Sequence, residues 1–409
     1  MNRTQLAGVR TLLDEDLDAS ALSLDEAVTL PPEMYTDADF FAFEKDAIFT
    51  KEWICVGRQE QIPNPGDYFS FTVADEPLVV VRDDQGVIRA MSAVCQHRGM
   101  VITDPGELEQ QEWSAPVCER AGNCGRQLRC PYHFWVYDLT GQLVGAPEMG
   151  RTKDFDRSAI RLPRLAVEVW NGFVFVNFDL DAAPLAPRLA LADDYLANWQ
   201  MGEMEAASLG RVDGLPWNWK VMLENIIEIY HADRLHLPIH ELAPASLMVS
   251  TPFDDQDAMV ISRTGTVRDD YSFNASMGAL FPVIDTLTPE DRSMAYFGIA
   301  PPTLGIGTSS DSLLYVLVVP RAADRIDLLY GTLFPKGYKK LRRFAEIEEL
   351  ASTGMVALTR QDVAANKSVQ RGLRSQFAPR GRLSWQEEPI NHFNRWLITR
   401  YRRHMAALG

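Results

Sequence analysis

Cys95-Gln-His97 and Cys130-Pro-Tyr-His133 are the two stretches whose reading decides the fold. Each places one thiol and one imidazole two or three residues apart, giving a C-x-H…C-x2-H pair. Two kinds of metal site use such donors. A tetrahedral zinc ion takes four Cys or His ligands, whereas a binuclear iron–sulfur cluster can take two thiolates on one iron and two imidazoles on the other. The mixed halves favour iron and sulfur, because a zinc finger of the common kind keeps its Cys and its His in separate halves. Gly99 closes Cys95-Gln-His-Arg-Gly99 and Pro131 lies inside the second stretch, so both ligand pairs are expected on tight loops rather than helices. Structural zinc is the competing reading.

The flanking residues, Val94-Cys-Gln-His-Arg-Gly99 and Cys130-Pro-Tyr-His-Phe-Trp135-Val-Tyr-Asp-Leu-Thr-Gly141, closely resemble the cluster-binding loops of Rieske proteins. Phe134 departs from that pattern, standing where Gly usually follows the second histidine. The stretch between His97 and Cys130 is roughly double the expected length and carries Cys118 and Cys124. Neither is followed by His at the required spacing. A long surface loop (Glu107–Glu112, Gly122–Gly125) with two free thiols is the plain reading, and a redox pair or extra metal clip is the other. Cys55, in the apolar Trp53-Ile-Cys-Val56, reads as a buried inert thiol.

At 409 residues the chain has room for two domains with full cores. Its 46% apolar and 23% charged residues are ordinary for a globular protein. A formal charge of −16 argues against nucleic acid, whose phosphates such a surface repels. Five cysteines are too few for a disulfide scaffold and suit a reducing compartment. The N-terminus lacks a basic start followed by an apolar core, and no run approaches the ~18 apolar residues of a membrane span. A soluble cytoplasmic protein is expected.

Short alternating runs (Tyr68–Val73, Leu78–Arg82) split by Pro65-Gly66 and Asp83-Asp-Gln-Gly86 predict β-hairpins carrying the cluster loops. A further strand, Gly172–Phe178, leads to an Ala/Asp/Pro-rich connector over Asp179–Asp194. Beyond it, strand-like runs (Leu313–Val319, Ile326–Leu333) mix with helices expected at Trp217–Leu235, Leu341–Ser368 and Asn391–Ala407. This is α+β composition. Lys336-Gly-Tyr-Lys-Lys-Leu-Arg-Arg343 is a basic island, read first as a solvated helix face and second as a docking patch for an acidic redox partner.

One helical stretch carries a second set of metal donors. At ~100° per residue, Glu224, Glu228 and His231 share a face with Leu235. His236 lies about 140° around an ideal helix from His231, so the two can meet at one metal only where the helix ends or unwinds near Arg234. Pro238 supports an end there, since the residue before proline is pushed out of helical conformation. Two imidazoles and a carboxylate on one face of a ferrous ion form the triad that leaves open positions for dioxygen.

With the cluster loops upstream, Asn218-Trp-Lys…Glu224-Asn-x-x-Glu228-x-Tyr-His231…His236 resembles the catalytic helix of Rieske non-heme iron oxygenases, the aromatic ring-hydroxylating oxygenase α subunits. The likeness runs over nearly the whole chain, through Tyr35-Thr-Asp…Phe49…Trp53 and Gln361-Asp362-Val…Gln370-Arg-Gly-Leu373. It implies an N-terminal segment over residues 1–45 packing on the catalytic domain. An all-β Rieske [2Fe–2S] domain would follow over 46–170, with an insertion at about 100–128, and a catalytic domain of antiparallel sheet flanked by helices over 171–409. Carried over by position, Cys95, His97, Cys130 and His133 would bind the cluster, and His231, His236 and Asp362 the mononuclear Fe(II). Asp324, Asp327 and Asp233 compete with Asp362 on residue type alone. Glu228 would bridge toward a cluster histidine of a neighbouring subunit. Many ring dioxygenases have Asp there; Glu occurs in members resembling the quaternary-amine oxygenases. Asn225 and Tyr230 are candidates for orienting ligands, His240 for a pocket or nothing, and His392 and His404 for no role.

What the resemblance implies is a terminal oxygenase component. O2 and electrons from an NAD(P)H-dependent reductase, with or without a ferredoxin, would hydroxylate or dihydroxylate an aromatic or similarly hydrophobic substrate. The assembly would be a homotrimer or a hexamer of trimers. Tyr271–Phe297 resembles the variable pocket-lining region. An amine or quaternary-ammonium oxygenase, or a demethylase with the same metals, is the alternative enzyme. A Rieske electron-transfer protein without catalysis is the alternative class, though it has no use for His231, His236 and Asp362.

Overall fold

The computed structural model describes residues 3–15, 17–103, 121–236, 241–274 and 278–408. The chain divides into two units, Cys55–Ala183 and the combination of Met1–Ile54 with Pro184–Gly409.

The smaller unit is built on β1 (Ile54–Arg58), β2 (Asp67–Val73), β3 (Glu76–Arg82), β4 (Ile88–Ser92), β5 (Ala121–Asn123), β9 (Arg164–Trp170) and β10 (Phe173–Asn177). These form one sheet in the order β1-β10-β9-β4-β3-β2-β5. β6 (Gln127–Arg129), β7 (Val136–Asp138) and β8 (Leu143–Gly145) form a second, three-stranded sheet. Both predicted hairpin strands fall inside β2 and β3, which pair antiparallel from Tyr68↔Val81 to Val73↔Glu76. The two residues between them, Ala74 and Asp75, both take positive φ, the conformation that matches a two-residue turn to the strand twist. At the next turn Asp83 Oδ1 accepts the Gln85 and Val87 amides at 2.8 and 2.9 Å, so the Asp83–Gly86 punctuation works through a side chain. The Gly122–Gly125 stretch differs from the expected surface loop. Ala121–Asn123 pairs with β2 as an edge strand, and the Cys124 amide and thiol both bond Gly66 O, at 2.9 and 3.2 Å. Cys118 and Glu107–Glu112 lie outside the described residues.

In the larger unit, β11 (Met204–Leu215), β12 (Met248–Val249), β13 (Val260–Gly265), β14 (Met294–Ala300), β15 (Leu304–Thr308), β16 (Leu313–Ala322) and β17 (Arg325–Pro335) form an antiparallel sheet. Its order is β11-β17-β16-β15-β14-β13-β12. The helix Trp219–Ile227 lies against it. A Cβ on Gly305 would stand 2.8 Å from Ile226 Cδ1, so glycine in β15 is what lets helix and sheet approach this closely. The two other long helices are Phe344–Leu373 and Glu388–Ala407, near the expected positions.

The expected continuous helix from Trp217 to Leu235 is instead two helices, Trp219–Ile227 and Ala232–Leu235. Asn218 caps the first by accepting the Lys220 amide at 2.9 Å. Glu228 leaves helical geometry (φ −95°, ψ 144°), and its carboxylate accepts the His231 amide at 3.0 Å. The break is therefore a side-chain cap that starts the next turn, which hydrophobic periodicity does not register.

The N-terminal segment reaches the same helix. Glu44, fully buried at the end of Ala38–Glu44, accepts hydrogen bonds from Lys220 Nζ (2.7 Å), Trp219 Nε1 (3.1 Å) and Tyr401 OH (2.5 Å). Among the described residues no helix is long and apolar enough to cross a membrane.

Candidate metal centres

The two cluster loops close in the same way. In the first, the Cys95 amide donates to Met100 O at 2.8 Å and the Gly99 amide to Cys95 O at 3.1 Å. In the second, the Cys130 amide donates to Trp135 O at 2.8 Å and the Phe134 amide to Cys130 O at 3.1 Å. Cys95 and Cys130, each 2% exposed, sit in a core with Val79, Met91, Leu128 and Leu143. The exposed imidazole of His97 and the half-buried one of His133 meet through their Nδ1 atoms, 3.1 Å apart. His97 also stacks on Trp135, with ring centroids 4.7 Å apart.

These donors fit a binuclear cluster better than one ion. A single zinc would draw all four donor atoms to within about 4 Å of one another. Here thiol meets thiol and imidazole meets imidazole, the pairing that two separate irons would take. A hydrogen bond between the two thiols holds Cys95 below the usual range and Cys130 above it, which puts the sulfurs in direct contact. Tyr137, to which the sequence reading gave no role, places its hydroxyl 3.3 Å from Cys95 Sγ and accepts the Gln96 amide at 3.0 Å. Its place in the apolar strand Val136–Asp138 was the available signal. Cys55 is fully buried and its thiol is pushed up to about 12, as expected of an inert core cysteine.

In the larger unit, His231, His236 and Asp362 present one donor atom each within 4.8 Å of one another. His231 stands at the start of the Ala232–Leu235 turn and His236 just past its end, where φ −111° and ψ 57° have left the helix. Unwinding after Leu235 is what brings the two rings together; Pro238 and His240 lie outside the described residues. His231 Nε2 and His236 Nε2 are 3.2 Å apart, and Asp362 Oδ1 lies 2.9 Å from His236 Nε2 and 3.7 Å from His231 Nε2. Adjacent ligands on an octahedral ion with bonds of about 2.1 Å sit about 3 Å apart, so this donor set fits one small cation. Burial works against charge on His236, yet the Asp362 carboxylate outweighs it and holds the imidazole above its ordinary value, the response of a site that attracts positive charge.

The partners of the triad are equally specific. Glu228 Oε1 makes a short hydrogen bond with His231 Nδ1, and Gln361 Oε1 lies 2.8 Å from His236 Nδ1. Both rings thus turn Nε2 toward Asp362. Asn225 Nδ2 donates to Asp362 Oδ1 at 3.4 Å, while Tyr230 is exposed and makes no such contact among the described residues. The competing aspartates are engaged elsewhere: Asp324 pairs with Arg374, Asp327 with Arg321 and Arg211, and Asp233 accepts the Ala245 amide. Glu224 is half-buried one helical turn before Glu228. Tyr35 OH donates to it at 2.5 Å, and burial raises its carboxyl to about 7. His392 stacks on Phe253 and His404 on the edge of Phe43, away from both donor sets. In the expected pocket-lining segment, Asp311 accepts the Leu280 and Phe281 amides at 3.0 and 3.3 Å; Met277 lies outside the described residues.

A β unit with paired Cys and His loops, joined to an α+β unit with a two-His, one-carboxylate face, defines a metalloprotein of two unlike centres. Residues 52–156 match the Rieske [2Fe–2S] domain, and residues 196–403 match the ring-hydroxylating α subunit (catalytic domain). The chain belongs to the ring-hydroxylating α-subunit family, with a Rieske domain ahead of the catalytic one. Over 230 residues, 56% of this chain and 46% of its relative, it is 35% identical to the glycine betaine monooxygenase oxygenase subunit of Chromohalobacter salexigens. That match spans about half of the relative's length. Against the chloroplastic choline monooxygenase of Arabidopsis thaliana it is 27% identical over 388 residues, 91% of this chain and 83% of that protein. A crystal structure of a quaternary ammonium Rieske monooxygenase shares the fold with a TM-score of 0.77 at 24% identity, covering 95% of this chain and 99% of that one.

Proposed function

We propose that this chain is the terminal oxygenase subunit of a Rieske non-heme iron system. Cys95, Cys130, His97 and His133 would hold the [2Fe–2S] cluster, and His231, His236 and Asp362 the ferrous ion. When bound, the two centres supply one-electron storage and dioxygen activation, so that two electrons, two protons and O2 place one oxygen atom on the substrate and release the other as water. The chain's own residues set up that chemistry. Glu228 and Gln361 take the Nδ1 protons of the two imidazoles and leave both Nε2 lone pairs facing Asp362. The observation that carries the reading is the convergence of His231, His236 and Asp362, the two-imidazole, one-carboxylate donor set that would hold a ferrous ion.

For the substrate, the aromatic reading gives way to its alternative. The relatives are named for glycine betaine, carnitine and choline, and Glu228 stands where ring dioxygenases commonly carry Asp. A quaternary ammonium or related amine is therefore the proposed substrate class. The electron source is a reductase, and the assembly a ring in which Glu228 meets a cluster histidine of the next copy.

The test is anaerobic purification followed by metal and sulfide analysis and turnover. Three irons and two acid-labile sulfides per chain are expected. His231→Ala should keep two irons and the visible spectrum while losing turnover. Oxygen uptake coupled to glycine betaine, carnitine or choline, but not to naphthalene, is expected for the substrate class. Full turnover by the His231→Ala protein would overturn the metal assignment, and coupling to the aromatic alone would overturn the substrate.

A further inference from the structure

Gln361 is exposed on the helix Phe344–Leu373, at a position where most polar residues are ordinarily interchangeable. Its carbonyl oxygen nevertheless reaches a ring that is only 6% exposed, lying 2.8 Å from His236 Nδ1. Neutral imidazole carries one ring proton. If His236 is to offer Nε2 as a lone pair beside Asp362 Oδ1 and His231 Nε2, that proton must sit on Nδ1 and find an acceptor. Gln361 Oε1 is that acceptor. The opposite orientation of the amide would present an N–H to Nδ1 and force the proton onto Nε2, into the place a cation would take. The next residue on the same helix, Asp362, is itself a member of the donor set. One turn of helix therefore fixes both the carboxylate and the tautomer of the ring beside it.

We propose that Gln361 is a positioning residue for the mononuclear site, holding His236 in the tautomer that binds metal through Nε2. The inference rests on the proposed ferrous site. It goes further by assigning unlike partners to the two rings: the charged Glu228 carboxylate for His231 and a neutral amide for His236. The neutral partner orients its ring without adding negative charge, whereas a carboxylate also makes its ring a stronger donor.

Cluster-loaded protein is treated with a chelator until only the cluster irons remain, then titrated with Fe2+ in competition with a chromophoric chelator. Gln361→Leu removes the acceptor and is expected to weaken Fe2+ binding 10- to 100-fold, with the visible spectrum of the cluster unchanged. Gln361→Glu, an acceptor of the same length, is expected to stay within about threefold of wild type. A Gln361→Leu protein that binds Fe2+ as tightly as wild type would overturn the proposal, as would a Gln361→Glu protein that fails as badly as Gln361→Leu. Failure of the underlying reading looks different: wild type itself would take up no third iron, and His231→Ala would change nothing.

Discussion

Phe134 occupies the same point of its turn that Gly99 occupies in the other cluster loop. Each is the fourth residue after the cysteine, each donates its amide to that cysteine's carbonyl, and each is left-handed, with φ of 59° and 78°. Glycine takes this conformation freely, while a residue with a Cβ is strained there by about 1–2 kcal/mol. A Cβ on Gly99 would meet nothing within 4 Å, so Gly99→Ala should show the backbone cost alone, about 1 kcal/mol. At position 134, Gly should be more stable than Ala by a similar amount. Thermal bleaching of the cluster absorbance would check both, and a Phe134→Ala protein more stable than Phe134→Gly would refute the strain.

Lys220 and Glu44 form an ion pair that is completely buried, with Lys220 also lying over the rings of Tyr35, Phe40 and Trp219 at 5.0–5.6 Å. Removing one partner leaves the other charge in a medium that cannot solvate it, at a cost of about 3–5 kcal/mol. Lys220→Met should lower stability by that amount. Adding Glu44→Leu should cost less than the sum of the two single changes, because the second removes the stranded charge. Denaturant unfolding followed by tryptophan fluorescence measures all three, and additive losses would contradict the coupling.

The cluster loops were legible because their information is local: ligand spacing, Gly99 and Pro131 all lie within a few residues of the donors. His231 and His236 were legible for a similar reason, the five-residue gap requiring the helix end that the structure places after Leu235. The break at Glu228 was not, because a carboxylate capping the His231 amide leaves the apolar period of Trp219–Ile227 undisturbed. Asp362 could be chosen over Asp324, Asp327 and Asp233 only through the resemblance; what separates them physically is that Asp362 lies against two imidazoles far back along the chain, while Asp324 and Asp327 pair with arginines and Asp233 accepts the Ala245 amide. Glu44, Tyr35 and Gln361 depend on tertiary contacts of the same long range. Residue type alone makes an exposed glutamine or a helix-end glutamate unremarkable.

Glu224 links stability to pH. It is half-buried and accepts from Tyr35; desolvation raises its carboxyl from the usual 4.5 to about 7, assisted by the Glu387 and Glu228 charges and opposed by Tyr35 and Lys220. Because the folded chain holds this proton more tightly than the unfolded chain, its contribution is complete below about pH 4.5. That contribution is lost as pH rises through about 7, a change of about 3 kcal/mol. Glu224→Gln keeps an acceptor for Tyr35 but cannot ionise. The stability difference between wild type and Glu224→Gln should therefore shift in the variant's favour between pH 5 and 8. Parallel stability curves across that range would show that Glu224 does not titrate there.

Glu228 has two tasks within its own subunit, and single substitutions separate them. One oxygen accepts the His231 amide and starts the ligand turn; the other accepts from His231 Nδ1 and orients the ring. Glu228→Ala removes both, so it should cost about 1 kcal/mol for the cap and about tenfold or more in Fe2+ affinity for the orienter. Glu228→Gln has a single carbonyl oxygen to offer, and a neutral one. It should serve the ring or the amide but not both, and Fe2+ affinity should fall between wild type and Glu228→Ala. Chelator competition on cluster-loaded protein measures the series in the resting protein, without turnover. Equal Fe2+ affinity in all three proteins would leave Glu228 no role in holding the metal, and would confine it to contacts with a neighbouring subunit.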